Sequence, residues 1–277
     1  MLKEKLEALY NDGSKHSRYQ NIPEFVRNEL GYTETIDENW RGDTARFRSL
    51  NQLVSFGGGK SIGEIGANTG FFTLSLAHAH SDSTFYAYEI NPTHAAFIAD
   101  IADSFEMKNV VVKAQGVDME GIAAMERHDV LLNYNVLHHA GVDFDGDKLA
   151  QASDFEAYAT EYLRRLSFQT RCMVFQIGSN WGGNKQKPLV PLDDDAEKLA
   201  LNARLFKNAG WEIRSICLHT RREGVLDYTT VSPELIDRLN ACPIGTEKAL
   251  IQERIDLTEF PGFSEFYRRP IFIVESK

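Results

Sequence analysis

Apolar positions in the first 55 residues recur at helical spacing: Leu2, Leu6 and Leu9, then the stretch 22–30, then 45–54. Gly57-Gly58-Gly59 ends that pattern. Beyond it, short β-branched and aromatic runs alternate with amphipathic segments. Residues 60–65, 84–90, 110–114, 129–135 and 171–177 read as strands, and 69–78, 93–105 and 154–168 as helices. A further helix spans 196–209, with Gly210 placed as its C-terminal cap, and strands follow at 211–218 and 270–275. Strands that alternate with helices of about 10 to 15 residues form βαβ units, so the expected fold is α/β with a mostly parallel sheet. Seven strands are expected, the C-terminal one antiparallel, with 1–56 as an N-terminal helical cap on a domain at 57–277. The stretch of about 220–267 is too long for a structureless connection in a compact domain, so it reads as a structured insertion or a lid.

Composition narrows the function classes. With 277 residues, 43% of them hydrophobic, the chain can bury a full core. Its net charge of −10 disfavours nucleic acid, which is held by basic surfaces. Cys172, Cys217 and Cys242 have no CxxC spacing, so they read as small buried hydrophobes in a reducing compartment. The charged N-terminus, Met1 to Tyr10, lacks the apolar core of a signal peptide, and no run approaches membrane-spanning length. A cytoplasmic protein is expected.

The chemistry-bearing pattern is Glu64-Ile65-Gly66-Ala67-Asn68-Thr69-Gly70, which joins the first strand to its helix. Gly66 and Gly70 permit positive φ and close approach of a ligand. The spacing differs from the three-glycine dinucleotide fingerprint, and Glu64 at the strand end suits a cationic amino-acid group rather than a phosphate. Glu89 ends the second strand about 20 residues after Gly70, where an acid accepts the ribose hydroxyls of an adenosyl cofactor. Asp118, in Gly116-Val117-Asp118, is placed to take an adenine amine, or it is a plain turn residue. Asn133 and Asn135 end the fourth strand, with His138 and His139 just beyond. Ligands of open α/β sheets bind past the carboxyl ends of the strands, so these groups are expected to meet in one crevice.

These residues carry a family resemblance. Glu64 to Gly70, together with Tyr88-Glu89-Ile90-Asn91-Pro92, resembles the FkbM-type O-methyltransferases. Trp40-Arg41-Gly42-Asp43, Asn135-Val136-Leu137-His138-His139 and Ala203 to Trp211 resemble the wobble-uridine tRNA methyltransferases that use carboxy-SAM, and related polysaccharide-end enzymes. The resemblance implies a Rossmann-like class I methyltransferase that binds S-adenosyl-L-methionine (SAM) through Glu64, Gly66, Asn68, Gly70, Glu89, Asp118, Asn133 and Asn135. His138 stands where the carboxy-SAM enzymes have a tyrosine, and ordinary SAM is the expected cofactor.

Methyl transfer needs a near-attack geometry and, for a hydroxyl acceptor, a base. Histidine titrates in the right range, which makes His138 and His139 the catalytic candidates. Arg41, Arg221 and Arg222 are candidates to hold an anionic acceptor. Trp181 forms an acceptor wall or anchors its loop. Asp118, Glu120, His138 and His139 do not have a spacing that demands a metal, and none is expected. The expected acceptor is a small molecule, a sugar or a glycan end. The alternatives are a tRNA wobble-uridine-type methyltransferase, an aminopropyltransferase, and an inactive SAM-binding subunit.

Overall fold

The computed structural model describes residues 2–11, 20–33, 42–191, 193–257 and 269–277. Contacts divide the chain into two compact units, 1–117 with 128–132, and 118–127 with 133–277. Among the described residues one eight-stranded sheet has the order β3-β2-β1-β4-β5-β8-β6-β7. Its strands are β1 Ser61–Ile65, β2 Thr84–Tyr88, β3 Val110–Lys113, β4 His128–Tyr134, β5 Thr170–Gln176, β6 Trp211–Arg222, β7 Val225–Thr230 and β8 Ile271–Ser276. The expected Rossmann-like sheet is present, with one strand more than the seven read from the sequence. The extra strand is β7, whose alternation is short and which folds back on β6 through Glu223 and Gly224, both at positive φ.

In the first unit, β2 lies parallel to both β1 and β3, with Ile65 opposite Tyr88 and Tyr88 opposite Lys113. Helices α4 (Phe71–Ala79) and α5 (Pro92–Ser104) follow β1 and β2. Sequence chemistry fixes where α5 begins. The Asn91 side chain accepts hydrogen bonds from the Thr93 and His94 amides, and Pro92 occupies the first turn, where its missing N–H costs nothing. The N-terminal helices α1 (Leu2–Asn11), α2 (Glu24–Leu30) and α3 (Asp43–Leu53) belong to this unit. Leu6, Leu9 and Val26 are buried in one cluster with Leu74, Ile98 and Ile101. Each such side chain contributes roughly 1.5–3 kcal/mol on burial.

The second unit holds α6 (Phe155–Leu166) and α7 (Asp195–Asn208), then α8 (Pro233–Ala241) and α9 (Glu247–Arg254). The last two fall in the expected insertion, which is therefore structured at its described residues. β8 runs antiparallel to both β5 and β6, and β7 antiparallel to β6. Phe206 packs edge-on against Phe175 and tilted against Phe272, and the buried Trp211 indole donates to the Leu163 carbonyl at 2.9 Å. Among the described residues no helix is long and apolar enough to cross a membrane.

A buried histidine fastens the strands of the first unit. His128 Nδ1 lies 2.8 Å from Ser61 Oγ and its Nε2 3.0 Å from the Tyr88 hydroxyl. Its ring fills the space over Gly63, where a Cβ would come within 2.6 Å of His128 Cδ2 and 2.9 Å of Leu131 Cδ1. Gly63→Ala should therefore destabilise the protein by about 1–3 kcal/mol through overpacking. Urea unfolding will measure it, and an unchanged midpoint would mean that the strands part at little cost.

Candidate functional site

The turn after β1 is built by its glycines and by bonds to β2. Gly66 and Gly70 have φ of 70° and 85°, and Asn68 has 54°. Asparagine is among the few non-glycine residues that tolerate this region. The Gly66 and Ala67 amides both donate to the Tyr88 carbonyl, at 2.8 and 3.1 Å. No Cβ fits at Gly70, because it would stand 2.8 Å from Ile98 Cγ1. Two carboxyl groups flank the turn. Glu89 accepts from the Asn68 and Asn91 amides, each at 2.7 Å. Burial pushes its pKa up, while these amide bonds oppose the rise. The Thr69 hydroxyl is buried with no hydrogen-bond partner among the described residues.

Glu64 is the more perturbed of the two. It is buried and accepts from the Thr73 amide at 3.0 Å and from the Thr73 hydroxyl. Desolvation pushes its pKa up to about 8; the Thr73 bonds oppose this, and the charges of Glu89 and Asp43 add to it. Asp43, at the start of α3, is also buried, pairs with Arg46 and accepts from the Asn21 amide at 2.7 Å. Gln20 Oε1 accepts from the Phe71 amide at 3.1 Å, at the start of α4. Gln20, Asn21 and Arg46 carry no motif and sequence reasoning missed them, while Asp43 stood in the Trp40-Arg41-Gly42-Asp43 segment without a role assigned to it.

In the second unit, Asp118 accepts from the Gly121 amide at 2.6 Å, closing a local turn. Glu120 instead pairs with Lys148 at 3.2 Å. Asn133 is fully buried, and neither end of its amide has a partner among the described residues. Asn135, at φ 60°, joins a polar network: its amide donates to the Gln176 carbonyl at 2.7 Å and its side-chain nitrogen to Gln176 Oε1 at 3.1 Å. Its Oδ1 accepts from Arg269 Nη1 at 2.6 Å. Arg269, just before β8, was not singled out from the sequence, because nothing local marks it.

The two histidines have different surroundings. His138 is buried, and its Nδ1 accepts from the Gly178 amide at 3.3 Å. Burial, then the Arg269 and His139 charges, hold its pKa well below the usual histidine value, so the ring is neutral. His139 Nδ1 lies 2.7 Å from Asp143 Oδ2, without the geometry of a hydrogen bond. Trp181 is buried and its indole donates to the Ala140 carbonyl at 2.6 Å, so it anchors its loop. Arg221 is exposed on the β6–β7 hairpin, where it donates to the Gly224 carbonyl at 3.0 Å. The Arg222 side chain and all of Arg41 lie outside the described residues.

The Glu64 environment has a measurable consequence. The folded chain keeps this proton up to a pH of about 8, whereas an ordinary glutamate releases it near 4.5. Between those values unfolding releases a proton, so stability falls as pH rises, by at most about 1.4 kcal/mol per unit. Glu64→Gln should remove that slope and be more stable than the parent at pH 8 in urea unfolding of the ligand-free protein. Equal slopes in both proteins would assign the effect to another group.

Comparison with known proteins bears on the fold. No family profile matches the sequence, and no curated protein matches it either. Among solved structures, WbdD superposes with a TM-score of 0.53 at 15% identity, over 98% of this chain. The chain spans about half of WbdD, 46% of its length. Magnesium protoporphyrin IX methyltransferase (ChlM) from Synechocystis PCC 6803, with bound SAM, superposes at 0.50 and 10% identity, over 99% of this chain and 91% of its own. The strand order, the glycine turn after β1 and these superpositions together show that this chain has the fold of the class I SAM-dependent methyltransferases.

Proposed function

We propose that the chain is a SAM-dependent methyltransferase acting on an oxygen of a small molecule, a sugar or a glycan end. The observation that carries this reading is the pair of acids around the Gly66–Gly70 turn. SAM supplies an electrophilic methyl group on a sulfonium and also carries an ammonium. Glu64, held at the edge of ionisation by burial, is the group that such a cation would ionise. Glu89 keeps lone pairs for two ribose hydroxyls beyond the two amide bonds it already accepts. Ile90, beside it and 64% exposed, offers an apolar face for adenine. The Thr69 hydroxyl, without a partner among the described residues, is a buried group that a bound polar ligand would satisfy.

The acceptor proton falls to His139 in this reading. A neutral histidine whose Nδ1 accepts an amide hydrogen carries its own proton on Nε2, so His138 is a donor and not a base. His139 has Asp143 beside Nδ1, an arrangement that leaves Nε2 to accept. The net charge of −10 weighs against the tRNA alternative.

Two experiments test the reading. Calorimetric titration with SAM should show Glu89→Gln binding at least about tenfold more weakly, since one charge-assisted bond contributes roughly 1.5–3 kcal/mol. Absence of SAM binding by the parent protein would end the proposal. With an acceptor found by screening, His139→Ala should lower turnover about 10²- to 10⁴-fold with SAM affinity intact. Equal turnover in parent and variant would leave proximity as the whole of catalysis, and SAM binding without turnover on any acceptor would favour a binding subunit.

A further inference from the structure

We propose that Asp145 is a positioning residue for the adenosyl cofactor: it fixes the Asp118–Met119 segment so that the Asp118 carboxylate meets the adenine amine. This deepens the methyltransferase reading and rests on it, through the role expected of Asp118. All of the residues involved belong to the second unit.

The clamp closes on a short stretch of backbone. Met119 is buried; its amide donates to Asp145 Oδ2 at 2.7 Å, and its carbonyl accepts from Arg165 Nη1 at 3.0 Å. The peptide that joins Asp118 to Met119 is bonded on both sides, because the Asp118 carbonyl accepts from the Ile122 amide at 3.1 Å. The neighbouring side chains are held as well. Asp118 accepts from the Gly121 amide at 2.6 Å, and Glu120 pairs with Lys148 at 3.2 Å. Lys148 also donates to Asp145 Oδ1 at 3.0 Å, and the Tyr158 hydroxyl donates to Oδ2 at 2.5 Å. Asp145 thus gathers the Met119 amide, its own loop and helix α6 onto one carboxylate.

An acid suits this place chemically. An ionised carboxylate only accepts, and all three of these neighbours donate. Burial opposes its ionisation, but the bonds from Tyr158, Met119 and Lys148 outweigh that and hold the carboxyl below the usual aspartate range. The backbone of Asp145 is at φ 51°, a region that aspartate tolerates better than most residues. The consequence reaches Asp118. With the 118–119 peptide fixed at its N–H and its C=O, it cannot rotate, so the direction in which the Asp118 side chain leaves the backbone is set. A hydrogen bond to a base amine weakens steeply with misalignment, so that direction decides how well adenine is told from a base without the amine.

The test measures recognition of the base rather than stability. S-adenosylhomocysteine and S-inosylhomocysteine, which has an oxygen in place of the adenine amine, are titrated calorimetrically into the full chain and its variants. The parent should prefer the adenosyl compound about tenfold or more, and Asp118→Ala should lose that preference. Asp145→Gly, which the positive φ accommodates, should reduce the preference about fivefold, and Tyr158→Phe should reduce it by less. A variant that is merely less stable loses affinity for both compounds alike, and their ratio keeps the parent's value. That outcome in Asp145→Gly overturns the proposal. Thermal melting shows whether Asp145→Gly has failed to fold; Tyr158→Phe, which keeps the ring, then decides, and an unchanged ratio in it overturns the proposal equally. Binding by the parent without preference, or a preference that survives Asp118→Ala, overturns the positioning role and leaves the methyltransferase reading standing. Binding of neither compound by the parent removes that reading and the proposal with it.

Discussion

The turn between β1 and α4 depends on its attachment to β2. Three consecutive amides, those of Gly66, Ala67 and Asn68, are taken up there, two by the Tyr88 carbonyl and one by the Glu89 carboxylate. That arrangement satisfies buried backbone donors, which would otherwise cost about 1–3 kcal/mol each. It also decides where Glu89 points, because its second oxygen is bound to the Asn91 amide at the start of α5. The turn, the strand end and the next helix are thereby one unit, and a change in any of them moves the carboxylate. Positive φ at Gly66, Asn68 and Gly70 is the backbone condition for this.

Glu64 adds an electrostatic condition. A buried carboxyl near two other acids is costly to ionise, and the Thr73 bonds recover only part of that cost. Its environment favours the neutral form. The N-terminal segment contributes to this directly, because Asp43 belongs to α3 and Gln20 binds the first amide of α4. The helices before the glycine turn are thus part of the site's electrostatics as well as of the core.

In the second unit Asn135, Gln176 and Arg269 form a buried hydrogen-bonded network. Such a network is favourable only when its members are held in place, because each unmet buried polar group carries a desolvation cost. Gly178 takes part by leaving room, since any side chain there would collide with both His138 and Arg269.

Local physics determined much of this from the sequence. The hydrophobic periods located the helices other than α8 and α9 and all but one of the strands, because amphipathicity is a property of neighbouring residues. The exception, β7, is a short strand that exists through pairing with β6. The turn at Gly66 and Gly70 and the strand-end position of Glu89 were legible because backbone geometry and strand ends constrain residue type within a few positions. Partnerships across long separations were not legible. Asp43 beside Glu64, Gln20 on Phe71, and Arg269 on Asn135 join residues between about 20 and 130 positions apart, and no spacing rule links such pairs. Tertiary structure also decided the surroundings of the two histidines. They are adjacent in sequence and chemically identical, yet burial and the Gly178 amide make one a neutral donor, while the other meets Asp143 at the surface. Protonation depends on desolvation and on the partners of each ring nitrogen, and both arise only once the chain is folded.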